Sequence, residues 1–379
     1  MSGAAATDAS GWRERARSFA SRSVAPLAEQ IDREDRVPDA LVRELADAGF
    51  LGLGVPAAWQ GSDGDTRSTA AVLEELSRAS AAVGVLVAVH LSVCAMPILT
   101  WGTDAQRTAY LIPLARGERV GAFGLTEPNA GSDTASLRTR YRREGDVFVL
   151  EGTKTFISNA VSAGVVLIFA TSDPALGHRG ISAFVVPPGT GGFSVSRRLD
   201  KLGLRGSETT ELVLENVRLP ADSMLGPEGA GLRVALGALQ GGRIGIASCA
   251  LGVATAAFDE MRRAVAADDA EWKRSLLARA FVSLAAARAL VAQAAEAKDA
   301  GSSYETAASV AKLAAARAAV DIASAGVDVA GYAGVRAGAA AERLLRDARV
   351  FPIVEGTTEI QELILARSLL APDGGRNPL

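Results

Sequence analysis

Cysteine and histidine are almost missing from this chain: 379 residues include two of each, Cys94 and Cys249, His90 and His178. Both cysteines lie in Ala/Val/Leu-rich stretches and the histidines are far from them in spacing. A disulfide framework and a zinc site therefore lack ligands, and no metal is expected. Runs of basic residues interleaved with aromatics are missing too. With a formal net charge of -3 and a sequence pI of about 5.7, a phosphate lattice has nothing to grip, and nucleic acid is not an expected partner. The opening "MSGAAATDASGWRERARSF" has no apolar core of the signal-peptide kind, which implies a cytoplasmic protein. The longest apolar run, "AAVGVLVAVHLSVCAMPIL", is broken by Gly84, His90, Ser92 and Pro97 and has no basic flank. It reads as a buried helix, not a membrane span.

What is present is enough chain for two or three packed domains. Residues 1–118 read as helical: "PDALVRELADAGF" puts Leu41, Leu45 and Ala48 on one face and stops at Gly49, a natural helix C-cap. Over 119–226 the period changes to short apolar runs between turns, such as "DVFVLEG", "VVLIFAT" and "ISAFVVPPG". From 227 to 379 amphipathic Ala/Leu segments return, predicting helices near 229–267, 270–299, 304–328 and 357–370 in an antiparallel bundle. The order is helical, β, helical. No βαβ alternation supports a doubly wound nucleotide-binding sheet.

Three polar stretches interrupt the apolar pattern. In "FGLTEPNAGSD", Pro128, Asn129 and Gly131 force a turn, Thr126 and Ser132 offer hydroxyls, and amides near Gly131 can converge on an acceptor. In "KTFISNA", Phe156 stands two residues before Ser158 at a strand end. In "IVEGTTEIQ", Glu355 lies between Val354 and Gly356 ahead of a helix start. Ile353 and Val354 would exclude water, Gly356 would admit a ligand, and free amides would face an anion. The plainer reading of that last stretch is a capping box from Thr358 to Gln361.

Taken together, "AFGLTEPNAGSD", "GTKTFISNA", "KLGLRGSETTELVLENVRLP", "GGRIGIASCALGVA" and "RDARVFPIVEGTTEIQELILAR" resemble, in order and spacing, the acyl-CoA dehydrogenase family of flavoproteins over about residues 12–370. The resemblance implies a multidomain α+β fold: an N-terminal helical domain, a central β-barrel and a C-terminal four-helix bundle. It implies FAD as cofactor, a thioester substrate carried by coenzyme A or an acyl carrier protein, an electron-transfer flavoprotein or similar acceptor, and a homo-oligomer, dimer or tetramer. By the same resemblance Glu355 is the base that removes the α-proton. Phe123, Leu125, Thr126, Gly131, Ser132, Phe156, Ile157, Ser158, Thr357 and Glu359 meet the cofactor, and Ser132, Arg243 and Gly356 meet the substrate. Arg243 reads first as an ion-pair residue inside the bundle and second as part of the acyl site. Some relatives carry their base just before that arginine; here the position is Gly242, which leaves Glu355 as the expected base.

The departures are as specific as the agreements. The RxQFG element of the family, which reaches the flavin nucleotide of a neighbouring subunit, is missing from "RRAVAADDAEWKRSLLARAF". The QxxGGxG element appears as "DVAGYAGV", with Asp328 and Tyr332 at altered positions; Val354 and Gln240 replace a usual tyrosine and acid. The expectation is FAD held mainly within one subunit. The rivals are a complementary partner chain, a non-catalytic subunit, and flavin chemistry on oxygen or nitroalkanes.

Overall fold

In the computed structural model residues 8–370 are described; the first seven residues of the opening stretch and the last nine of the chain lie outside them. Helices α1 (Ala9–Phe19), α2 (Ala28–Glu34), α3 (Asp39–Asp47), α4 (Thr66–Ala79) and α5 (Ala81–Trp101) precede the first strand. The starts of α1 and α4 are set by short acids whose carboxylates take otherwise orphaned amides: Asp8 accepts from Gly11 N at 2.8 Å, and Asp65 from Ser68 N at 2.7 Å. Leu41 and Leu45 are buried on one face of α3, and Gly49 beyond it takes φ +76, the left-handed cap that glycine adopts without strain.

Helix α5 is the long apolar run, and protein covers 83% of its most apolar window. Its histidine is explained by local bonding. His90 Nε2 donates to Leu51 O at 2.9 Å and Nδ1 accepts from Gly121 N at 3.1 Å. Burial pushes its pKa down to about 4, so it stays neutral and ties α5 to the first strand.

Eight strands follow: β1 (Val120–Gly124), β2 (Arg140–Glu144), β3 (Val147–Ser158), β4 (Ala163–Thr171), β5 (Ile181–Val186), β6 (Phe193–Arg198), β7 (Thr209–Pro220) and β8 (Met224–Leu225). They form one sheet in the order β6-β7-β3-β2-β4-β5-β8, with β1 parallel to β4. The pairing of β3 with β7 breaks between Lys154 and Ile157, where Phe156 adopts φ +59. A bulge of this kind re-aims one side chain of an otherwise alternating strand.

The C-terminal part holds α6 (Gly231–Ala267), α7 (Glu271–Asp299), α8 (Glu305–Ala330), α9 (Ala340–Ala348) and α10 (Thr358–Leu370). Helix α9 was not expected from the sequence. The largest apolar core runs from Trp12 through α4 and α5 into α6, α7 and α8 and ends at Phe351, so both helical parts share one interior. The "KLGLRGS" stretch joins all three parts. Leu204 N donates to buried Asp347 Oδ1 at 2.7 Å, Gly206 N to Asp35 Oδ1 at 2.7 Å, and Arg346 pairs with Asp32 at 2.7 Å.

Glu74 of α4 is a buried acid of the helical interior, pairing with Arg13 at 2.8 Å and Arg288 at 2.6 Å. Burial alone would raise its pKa, but the guanidiniums of Arg288 and Arg13 outweigh it and hold it below the ordinary carboxylate range. That stabilisation is complete above the unfolded pKa and fades as pH falls through the lowered one. Both arginines are partly solvated, so Glu74→Gln should cost about 2 kcal/mol at neutral pH, with a smaller difference from the parent at acid pH, measured by thermal unfolding.

Candidate active site

Glu355 sits at the apex of a closed loop between α9 and α10. Thr358 donates to Pro352 O through its amide, at 2.8 Å, and its hydroxyl, at 3.3 Å. The chain between turns sharply: Glu355 has φ +52 and Gly356 φ +96. Left-handed backbone at a glutamate costs on the order of 1 kcal/mol and marks a side chain being aimed. The aim is towards α6, where Gly242 stands so close that a Cβ would collide with Glu355 Oε2 and lie 3.1 Å from Cδ. Glu355 is partly buried as a residue, yet its Oε2 is sealed from solvent and has no hydrogen-bond partner among the described residues. Burial pushes its pKa up to about 7, against the opposing pull of Arg243 and Lys312.

Two details differ from the sequence expectation. Ile353 is 64% exposed and does not shield the carboxylate; Val354 alone packs on the core, because the turn throws neighbouring side chains apart. The capping box from Thr358 to Gln361 does not form. Thr357 is the cap, accepting from Ile360 N at 3.3 Å, and Gln361 Nε2 turns back to Gly356 O at 3.4 Å. The amides of Thr358, Ile360 and Gln361 are thus already used, and the helix start is a poorer anion site than expected. Thr357 is half-buried in this cap and Glu359 is exposed.

Arg243 is buried on α6 beside the base. Its guanidinium reaches Ser309 Oγ at 3.4 Å, and its Nε has no partner among the described residues. Lys312 of α8 was missed in the sequence. It is fully buried and donates to Gly356 O at 2.7 Å and Pro352 O at 3.3 Å, under the Glu355 loop. Its only sequence signal is a lysine inside "SVAKLAAARAA", a run that otherwise reads as helix interior.

The structure brings the two β-domain stretches together. Thr155 N donates to Thr126 O at 2.9 Å, while buried Lys154 reaches Leu125 O at 3.2 Å and Glu127 Oε1 at 2.7 Å. Glu127 also accepts from Arg138 N and Thr139 N, at 2.6 and 2.9 Å, so one carboxylate fixes both ends of the loop carrying Gly131 and Ser132. Glu127 and Lys154 were not singled out in the sequence, since one lies inside a turn and the other inside a strand.

Phe156, lifted out by the bulge, is 67% exposed and is no core aromatic. Thr126, Phe123 and Ser158 are half-buried, and Gly131 and Ser132 lie open. The side chains of Leu125 and Ile157 point into separate hydrophobic clusters, so only their backbone atoms remain for a ligand. Asp328 and Tyr332, of the altered "DVAGYAGV" stretch, are both exposed. A cavity of about 500 Å³ lies between α4, α5, α6 and the α7–α8 turn; it borders α6 at Gly241, and Glu355 does not line it.

The chain was compared with known proteins. Three family descriptions match in sequence order: acyl-CoA dehydrogenase N-terminal domain over residues 7–118, middle domain over 122–217 and C-terminal domain over 229–370. A short-chain-specific acyl-CoA dehydrogenase of Clostridium acetobutylicum is 41% identical, over 93% of this chain and 96% of that protein. The butyryl-CoA dehydrogenase of Megasphaera elsdenii superposes with TM-score 0.94 at 34% identity, covering 98% of this chain and 100% of that one. A chain in a structure concerned with the electron transferring flavoprotein of Acidaminococcus fermentans and flavin-based electron bifurcation superposes with TM-score 0.95 at 34% identity, with the same coverage.

Gly242 tests the geometry directly. Gly242→Ala should displace the Glu355 carboxylate by a fraction of an ångström or more and lower kcat by about 10- to 100-fold. The helical circular dichroism should be unchanged, since alanine is the better helix former.

Proposed function

The chain belongs to the acyl-CoA dehydrogenase family, and we propose that Glu355 is the base with which it removes the α-proton of its substrate. It is a flavin-dependent oxidoreductase that uses FAD to dehydrogenate acyl-CoA thioesters. Introducing an α,β double bond requires a base for one carbon and a hydride acceptor for the next, on opposite sides of the acyl chain. FAD, when bound, supplies the hydride acceptor.

One observation carries the assignment of the base: a carboxylate with a sealed, unpartnered oxygen, held in a strained turn, whose pKa lies near neutrality at about 7. Such a group is poised to take a proton near neutral pH, where an ordinary surface acid is too weak a base. A buried polar oxygen without a partner also fits a site that a ligand completes.

The residues present fit FAD. Phe156 offers an exposed aromatic face at a bulge, which costs stability and serves no packing. Thr126, Ser132 and Ser158 supply hydroxyls around it, Gly131 leaves space at the backbone, and Thr357 and Glu359 lie beyond the base. Phe123, Leu125 and Ile157 would contribute through the strand backbone. Ser132, Arg243 and Gly356 would face the thioester, with the Glu355 amide available to its carbonyl.

The relatives named above support short acyl chains as substrates and an electron-transfer flavoprotein as acceptor. The exposed apolar side chains Trp272, Phe281 and Val282 on α7 support a homo-oligomer that covers this helix. The burial of α5 supports a helix packed inside the protein over one that spans a membrane.

Glu355→Gln should lower kcat by roughly 10³-fold while leaving flavin absorption intact; turnover at the parental rate would reject the assignment. The base works ionised, so kcat/KM should fall as pH drops through about 7. A profile flat between about pH 5 and 8 would contradict it.

A further inference from the structure

The Glu355 loop needs an anchor that its own hydrogen bonds do not supply. Two successive residues, Glu355 and Gly356, occupy left-handed backbone. The closing bond from Thr358 N to Pro352 O fixes the loop's ends but leaves its apex unsupported. Gln361 Nε2 adds only a 3.4 Å contact to Gly356 O.

Lys312 enters from α8, beneath the apex, with no exposed surface. Its ammonium donates to carbonyls on both sides of Glu355, Gly356 O at 2.7 Å and Pro352 O at 3.3 Å. A buried lysine usually neutralises an acid in direct contact. This one instead spends its hydrogen bonds on backbone carbonyls and leaves Glu355 Oε2 unpartnered. Resting on the reading of Glu355 as the base, we infer that Lys312 is the positioning residue of this site: it clamps the turn that aims the carboxylate and sets a fixed positive charge beneath it.

The other groups around the base do not duplicate this role. On α6, Arg243 acts on Glu355 through space and bonds to Ser309, and buried Cys249 stays a neutral thiol. Around Arg243, Glu305 is engaged by Gln240 at 2.8 Å, and Tyr304 stays neutral. Glu359 is solvated and acts on Lys312 from outside. Among the described charged groups around the base, Lys312 is the one that donates to loop carbonyls on both sides of Glu355. Burial draws its own pKa down to about 8, with Glu355 opposing, so it remains largely charged at neutral pH.

The test uses holoenzyme matched for flavin content. Lys312→Met keeps the stem and removes both the clamp and the charge. It should lower kcat by about 10- to 100-fold with KM changed by no more than about threefold. It should also move the acid limb of the kcat/KM profile up by about one pH unit, because burial then acts on Glu355 with less opposition. Lys312→Gln keeps an amide donor without charge. It should recover part of kcat while retaining the shifted limb, and it carries the test if the methionine variant fails to fold. A variant whose melting temperature falls but whose acid limb stays within about 0.3 pH unit of the parent overturns the inference, since packing alone does not move a pKa. That outcome leaves the base assignment standing, because only Glu355→Gln addresses it.

Discussion

A glutamate facing a glycine is the constraint on which this site rests. Any side chain at position 242 would occupy the volume that Glu355 Oε2 fills. The helix therefore contributes a bare patch of backbone, and the loop contributes a carboxylate bent over it through two left-handed residues. Neither makes sense alone. A glycine in the interior of a 37-residue helix weakens it, and a glutamate at positive φ is strained; each is accounted for by the other. The seal on that oxygen changes the acid, because a carboxylate with one oxygen shut off from water and from any donor holds its proton more tightly than one on the surface.

The opposite half of the site is held by a different device. Glu127 and Lys154 are buried together, and besides each other they bond three backbone groups, the amides of Arg138 and Thr139 and the carbonyl of Leu125. Burial draws the lysine pKa down to about 8, with Glu127 opposing, and the lysine in turn keeps Glu127 ionised. A buried pair adds little net stability over apolar packing, but it tolerates one arrangement of its neighbours and punishes others. The open loop with Gly131 and Ser132 can thus stay accessible without becoming mobile at its ends.

What the sequence revealed followed from residues that broke a local pattern. Phe156 before Ser158, the turn around Asn129 and the acid before Gly356 all stood out against apolar periodicity, and the long helices were legible because Ala and Leu recur at helical spacing. What it hid depended on contacts across the chain. Lys312 lies 44 residues from the carbonyl it holds, and Lys154 lies 27 from Glu127, so neither partner can be read from its neighbourhood. The expectation for Ile353 failed for a related reason. Adjacent side chains diverge, and ahead of the turn at Glu355 this sends Val354 to the core and Ile353 to solvent. The short helix Ala340–Ala348 was not singled out, although Leu344 and Ala348 stand four apart on its buried face.

The shared interior that runs from Trp12 to Phe351 bears on how the polypeptide acquires its shape. Helix α5 is covered by α4 and the first strand but also by α6, which is synthesised more than a hundred residues later, so part of its cover arrives late as the chain leaves the ribosome. The face that α6 covers must wait, unprotected, until that helix emerges.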